Sequence, residues 1–453
     1  MSDNSLKLSA NASRLLELER KYCAGGFEPS PLFLERAQGC KVWDCGGKEY
    51  IDFIGMFSAT NMGHGHPYMK KKMLEQLDKA HLLNICAHNA GWGPFGEMMC
   101  KRFGYDKITT ATSGTESADV ACKIARKHGL VRRKIPADKL KILGVGSSYH
   151  GLGMGIWGLM DRSAQRSSYG LDGTSVLNFN PTTNKTLEYL DLKAMRACLE
   201  EHHQTVAAVI MECLHGTSRS SEDEIRYARG VYDLCKEYGV LFIADEVRQG
   251  AGKTGKLLSF YHCGGDMKPD IVTMGKSITG GWYPQTFILG TKDVMSLVGP
   301  NECGYTFSHT PPALVAATSA LEVIDNENLL ERATRIRVKW RAIVSSWNHP
   351  KIEYVSSIGA DSNMFFHDLH GQRVAALCMF KGLFVNATPG KKAIRLSFAM
   401  TMTDEELEKG AAILKEVLDT IDTFGHIPVR SLAKTRKPII GSSSIAICSC
   451  SML

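Results

Sequence analysis

Lys276 stands in PDIVTMGKSITGG, directly after a short apolar run and just before the Gly280-Gly281 pair. A lysine at the mouth of a buried strand is partly stripped of water, which favours its neutral amine and suits it to Schiff-base chemistry. Asp245 ends a second apolar run, VLFIADEV, where a carboxylate is costly unless a cation or donors meet it. Ser113-Gly114-Thr115-Glu116 opens a helical pattern that continues as SADVACKIAR. The unpaired N–H groups and positive dipole end of such a helix form a ready phosphate site. Tyr149-His150-Gly151 follows a third run, KILGVG, and brings an aromatic ring to a strand end. Each feature has an ordinary reading too: a surface lysine, an Asp in a cap or ion pair, a plain capping box, a core aromatic. Together they lie in the order expected of one cofactor site, with phosphate cradle, stacking ring, strand-end acid and amine.

The elements that must position them follow from the apolar periodicity. KILGVG (141–146), VAAVIMEC (206–213), VLFIADEV (240–247) and DIVTMG (270–275) are strand-length, and ADVACKIARKHGL (118–130) and ARGVYDLCKEYG (228–239) carry helical spacing. Strands alternating with helices predict a mainly parallel sheet covered on both faces. Loops at the carboxyl ends of such strands form the ligand crevice. Residues 36–54 predict a hairpin turning at Gly46-Gly47, and about 319–346 and 403–421 predict amphipathic helices flanking shorter β-like pieces. The expected architecture is α/β, a large mainly parallel sheet domain plus a smaller α+β domain. Its predicted parts are an N-terminal segment 1–60 joining the small domain, a large domain 61–325, a small domain 326–425 and a loose tail 426–453.

Composition narrows the class. At 453 residues, 44% hydrophobic and 22% charged, the chain matches globular rather than disordered or fibrous proteins. A net charge of +7 without a clustered basic face argues against nucleic acid. No apolar run approaches the ~18 residues a membrane helix needs, and the N-terminus lacks signal- and transit-peptide features. Fourteen cysteines without framework spacing suggest free thiols in a reducing, cytoplasmic setting. The tail ending Cys450-Ser-Met-Leu453 has a prenylation-like shape, and Ser451-Met-Leu453 is a weak echo of a peroxisomal ending. Gly250-Ala-Gly252-Lys-Thr-Gly255 imitates a nucleotide loop, but Leu257 stands where a magnesium-binding hydroxyl belongs. His64 and His66 read as a structured turn rather than metal ligands, and no metal is expected.

From about residue 20 to 422 the chain resembles the class III, ornithine aminotransferase-like group of pyridoxal-phosphate enzymes, in the aspartate aminotransferase fold type (fold type I). The resemblance rests on NMGHGHP, SGTESADVACKIAR, SYHG, ADEV followed by GKTGK, PDIVTMGKSITGGWYP and AIRLSFAMTMTDEEL. It implies that Lys276 carries the cofactor and that Asp245 holds the pyridine nitrogen protonated, which makes the ring an electron sink. Tyr149 and Val247 would flank the ring, with His150 beside it. Ser113, Gly114 and Thr115 would cradle the phosphate, and Thr306 would reach the partner's phosphate in a homodimer with shared active sites. Arg395 resembles the group's arginine for the substrate α-carboxylate, a bidentate fork suited to that anion.

The departures concern substrate. The stretch that supplies a glutamate to mask this arginine in ornithine aminotransferases reads Glu212-Cys-Leu-His-Gly-Thr217 here, so the masking position is Thr217. Leu152 replaces an arginine for a second carboxylate. Two ornithine-gripping tyrosines appear as Phe27 and Phe57, and a glutamine beside the cofactor's phenolic oxygen appears as Arg248. An unmasked Arg395 should attract a substrate carboxylate at all times, unless Glu222 or Asp223 replaces the lost glutamate. The expected function is amino transfer between an amino acid or amine and a keto acid in an altered ornithine aminotransferase-like pocket. The alternative is a racemase or aminomutase acting at the α-carbon with the same cofactor.

Overall fold

The structure is a computed structural model that describes residues 9–26, 29–30, 32–171, 175–388 and 392–424. Its centre is a seven-stranded sheet in the order Lys107–Ala111, Thr286–Gly290, Ile271–Met274, Leu241–Asp245, Val206–Met211, Lys141–Leu143, Val176–Leu177. The last five run parallel, and Thr286–Gly290 is antiparallel to both its neighbours. Every residue of Val206–Met211 and Leu241–Asp245 is buried, as continuous apolar runs require when helices cover both faces. Gly114–Val131 packs on the Val206–Met211 and Ile271–Met274 strands, and Ser221–Glu237 packs on Leu241–Asp245. The KILGVG strand is shorter than predicted, because the chain leaves the sheet after Leu143.

Two smaller sheets flank this core. One pairs Ile352–Ile358, Asp361–Phe366, Ala393–Ser397 and Asn386–Ala387 in an antiparallel array. The other holds Leu34–Gln38 and the hairpin Lys41–Asp44/Glu49–Asp52, which turns through Gly46-Gly47. Leu383–Phe384 joins it parallel to Glu49–Asp52, so the chain's first and last thirds share one sheet. Phe53 locks that junction, its ring edge-on to Phe398 at 4.9 Å and to Trp340 at 6.3 Å. The single helix predicted at 319–346 is two, Pro311–Asn326 and Leu329–Trp347, because Asn328 at φ +51° breaks the helical path between them.

Among the described residues no disulfide joins two cysteines, and no helix is long and apolar enough to cross a membrane. The nucleotide-loop mimic at 250–255 is followed by a 3-10 turn, Ser259–Cys263, instead of a phosphate-binding helix. Its Lys253 is fully buried and donates from Nζ to the Phe398 carbonyl at 2.7 Å.

Candidate active site

The carboxyl ends of the central strands meet the polar face of the antiparallel sheet that includes Asp361–Phe366 and Ala393–Ser397, and Asp245, Lys276, Arg248, Glu212 and Arg395 gather there. Asp245 ends its strand with both oxygens occupied. Oδ2 accepts from His150 Nδ1 at 2.7 Å, and Oδ1 accepts from the Val247 N–H and Thr273 Oγ1, each at 3.1 Å. An ionised carboxylate only accepts, so His150 carries its proton on Nδ1. Its Nε2 is buried and has no protein partner.

Lys276 follows the Ile271–Met274 strand by two residues and takes φ +48°, a left-handed conformation that costs about 1–2 kcal/mol in a non-glycine residue. Burial, reinforced by the Arg248 cation, pushes its ammonium down to about 8. The next residue pins a second strained segment. Ser277 Oγ donates to the Ser58 carbonyl at 2.7 Å and accepts from the Asn61 N–H at 3.0 Å. Gly55, Met56, Phe57 and Ser58 all have positive φ, between 48° and 65°. Asp52 anchors this turn by accepting from the Ile54 and Gly55 N–H groups at 2.8 and 2.9 Å, while its other oxygen meets His64 Nε2 at 2.8 Å. His66 bonds Glu327 at 2.9 Å, so both histidines of GHGHP hold the turn. No metal-ligating cluster exists among the described residues.

Ser113 caps the Gly114–Val131 helix in a reciprocal capping box with Glu116. The first-turn N–H groups of Gly114 and Thr115 have no intrahelical acceptor and suit a phosphate. A side chain on Gly114 would place Cβ 3.1 Å from Val247 Cγ1. Gly151, at φ +108°, packs so tightly on Thr115 that a Cβ there would lie 2.1 Å from Thr115 Oγ1. The cradle, the free His150 Nε2, the buried Asp245 and Lys276 with its lowered ammonium pKa together fit pyridoxal phosphate. Tyr149 leaves its ring 60% exposed beside this site, with its N–H donating to Glu212 Oε1 at 3.2 Å.

The substrate side is built on cross-strand register. Asn363 lies opposite Arg395, and Asp361 opposite Ser397, so alternation puts all four on one face. Arg248 reaches that face. Its Nε donates to Glu212 Oε2 at 3.1 Å, its Nη1 to Asp361 Oδ2 at 2.9 Å, and its Nη2 to the His215 carbonyl at 2.8 Å. Gln249 Nε2 adds a second bond to Asp361, at 3.0 Å. Burial alone would raise Glu212, but Arg248, then His215 and His150, hold it at about 2. For Arg248, Asp361 and Glu212 outweigh burial and raise its pKa. The expected action of Arg248 on a cofactor oxygen thus meets a guanidinium already engaged by two carboxylates.

Arg395 is the contrast. No carboxylate lies within ion-pair distance of it among the described residues, and its buried Nε has no acceptor. Burial, and after it the like charge of Arg248, pushes its pKa down. Glu222 and Asp223 do not supply the missing partner, since both pair with Arg226 on the exposed face of their own helix. Thr217 gives its N–H to Glu224 Oε1 at 2.8 Å, so Glu224 fastens the loop instead of masking the arginine. Leu152 and Phe57 are exposed, at 50% and 45%. Thr306 is on the surface, its carbonyl accepting from Asn84 Nδ2 at 3.1 Å. Phe27 and the Cys450 tail lie outside the described residues.

Sequence reasoning missed Asp361, Asn363, Gln249 and Ser277. Its one available signal was Asp361 and Asn363 at alternate positions in GADSNMFF, against Arg395 and Ser397 in AIRLSF.

Residues 22–418 match the family model for class-III aminotransferases. The chain is similar to the ornithine aminotransferase of Schizosaccharomyces pombe, 32% identical over 94% of this chain and 98% of that one. It is similar in structure to the ornithine aminotransferase of Toxoplasma gondii, with TM-score 0.83 and 25% identity over 92% of this chain and 97% of that one. A second structure of the Toxoplasma protein, described with partial occupancy of pyridoxal phosphate at its active site, gives TM-score 0.81 at 25% identity over 91% and 95%. Sheet, site and relatives together define a pyridoxal-phosphate-dependent transferase of fold type I. The chain belongs to the class-III aminotransferases and is a pyridoxal-phosphate-dependent enzyme that moves an amino group between amino acid and keto acid.

Proposed function

We propose that this aminotransferase acts at the α-amino group of an amino acid whose α-carboxylate docks on Arg395, and that it disfavours the terminal amine of ornithine. The observation that carries this reading is Arg395 itself, half-buried, its Nε fully buried without an acceptor and no carboxylate within ion-pair distance among the described residues, while Glu212 and Asp361 are both held by Arg248. A substrate carboxylate supplies the missing charge through two parallel N–H bonds, and that places the α-carbon, rather than a distal amine, toward Lys276. Phe57, Leu152 and Thr217 leave the pocket less polar than one built for ornithine and 2-oxoglutarate.

Each cofactor role has a local reason. Asp245, fixed by His150, Val247 and Thr273, suits the ring nitrogen. Gly114 and Thr115 offer free N–H groups to the phosphate, with Ser113 holding the cap, and Tyr149 and Val247 suit the two ring faces. When bound, pyridoxal phosphate supplies an electron sink for the α-carbon. Lys276, with its ammonium lowered to about 8, is the base that takes the α-proton and returns it. Thr306 belongs to the phosphate site of a second copy in a homodimer. A reducing, cytoplasmic setting is part of the same proposal.

Titrating the holoenzyme with single amino acids while following cofactor absorbance and assaying products tests the reading. An α-amino acid that converts the cofactor stoichiometrically and releases its 2-keto acid supports it. Release of glutamate semialdehyde from ornithine would refute the α-preference, and an inverted α-carbon without keto acid would mark an isomerase.

A further inference from the structure

The buried network around the substrate side contains two carboxylates and two guanidiniums, and they are shared unequally. Arg248 holds both Glu212 and Asp361, and Arg395 holds neither. The strand register allows another pairing. Asp361 pairs in register with Ser397, two residues from Arg395 on the same strand face, a diagonal within reach of a long side chain. Asp361 Oδ1 and Arg395 Nε, an acceptor and a donor on that shared face, are both buried without partners. Asp361 is turned the other way, toward Arg248 Nη1 at 2.9 Å and Gln249 Nε2 at 3.0 Å. Glu212 is likewise held by Arg248 Nε and by the Tyr149 N–H.

We infer that Arg248 is a specificity-determining positioning residue: by engaging Asp361 and Glu212 it keeps Arg395 open to a substrate α-carboxylate in both halves of the reaction. Without the Arg248 guanidinium, the nearest internal carboxylate closes on Arg395 and competes with substrate. The inference rests on Arg395 being the carboxylate site, and the experiment separates the two claims.

Valerate, a monocarboxylate without an amino group, reports on the site without reacting. Its binding to the holoenzyme is measured by titration calorimetry. Arg395→Ala should weaken it about tenfold or more, the loss of a charge-assisted pair; an unchanged affinity would refute the carboxylate site itself. Arg248→Gln should weaken valerate to a similar degree although Arg395 is intact. Arg248→Gln combined with Glu212→Gln and Asp361→Asn removes both competing acids and should restore affinity to within about threefold of the parent. If Arg248→Gln binds valerate normally, or if its loss persists in the triple variant, Arg248 does not act through the carboxylates and the inference falls. Should Arg248→Gln alone fail to fold, Arg248→Lys, which keeps a cation but loses the fork that holds both acids, should weaken valerate more than the triple variant does, and equal affinity in the two would overturn the inference.

Discussion

The two halves of the active site are finished to different degrees. On the central-sheet side the acids are partnered, with Asp245 receiving three donors and Ser113 and Glu116 closing the helix cap on each other, and the groups left open include His150 Nε2 and the first-turn N–H groups of Gly114 and Thr115. On the small-sheet side Arg395 Nε, Asp361 Oδ1, Asn363 Oδ1 and Gln249 Oε1 are buried and unpartnered. A cofactor that stays through every turnover can satisfy the few groups its cradle leaves open. A substrate that comes and goes leaves such polar groups unmet between visits, and the protein carries their desolvation cost.

The largest effect expected from breaking this contrast is at Lys276. Lys276→Ala should lower turnover by ~10⁴-fold and remove the covalently held cofactor, read by absorbance after denaturation and by steady-state rates. Next come the two arginines, which should respond oppositely in stability. Arg248→Met removes the partner of two buried acids, of which Arg395 can take only one, and should cost about 3–5 kcal/mol in denaturant unfolding of the holoenzyme. Arg395→Met removes a half-buried cation without a carboxylate partner and should leave the unfolding midpoint unchanged or higher, while kcat/KM for an α-amino acid falls ~10²-fold. Equal destabilisation by both would erase the asymmetry between the halves.

Acid should expose the same network. Glu212 is held at about 2, below its ordinary 4.5, so the stability it contributes is complete above pH 4.5 and is lost as pH falls toward 2. His215, lowered by burial to about 4 from 6.5, is neutral when folded and takes a proton on unfolding. Stability therefore also declines as pH falls from 6.5 to 4. His215→Asn should flatten the upper part of that decline in unfolding curves recorded from pH 7 to 4. Lys276, at about 8, predicts that cofactor capture by the apoenzyme accelerates as pH rises through 8, which a stopped-flow reconstitution series checks. The smallest effect belongs to Glu222→Gln, on an exposed helix face beside Arg226. It should change KM by less than about twofold, and a larger change would revive this glutamate as a mask.

Most of the cofactor half was readable from the chain, for a local reason. Its residues sit at the ends of apolar runs, where a strand must stop, and a charge placed there is conspicuous: Asp245 after VLFIA, Lys276 after IVTMG, Ser113 before a helix. The hairpin at Gly46-Gly47 was readable because its turn residues adjoin. The break at Asn328 was not, since a left-handed asparagine inside a continuous apolar pattern leaves the periodicity intact.

Asp361, Asn363 and Gln249 were invisible for a different reason. Their importance comes from which strand lies opposite and which loop arrives over it, and neither is encoded near them in the chain. Arg248 shows the division most clearly. Its identity marked it as a departure from the related enzymes, and adjacency to Asp245 fixed its place at the rim of the cofactor crevice. Its direction came from elsewhere. Asp361, 113 residues away, and Glu212, 36 residues away, together attract the guanidinium, and that long-range pairing decides which arginine is left open to substrate. The sequence by itself determined the fold, the cofactor chemistry and the family, because these rest on local patterns of burial, turn and charge. The tertiary structure alone decided how two acids are divided between two arginines, because Coulomb energy in a buried site depends on distances of a few ångströms that only the packed strands set.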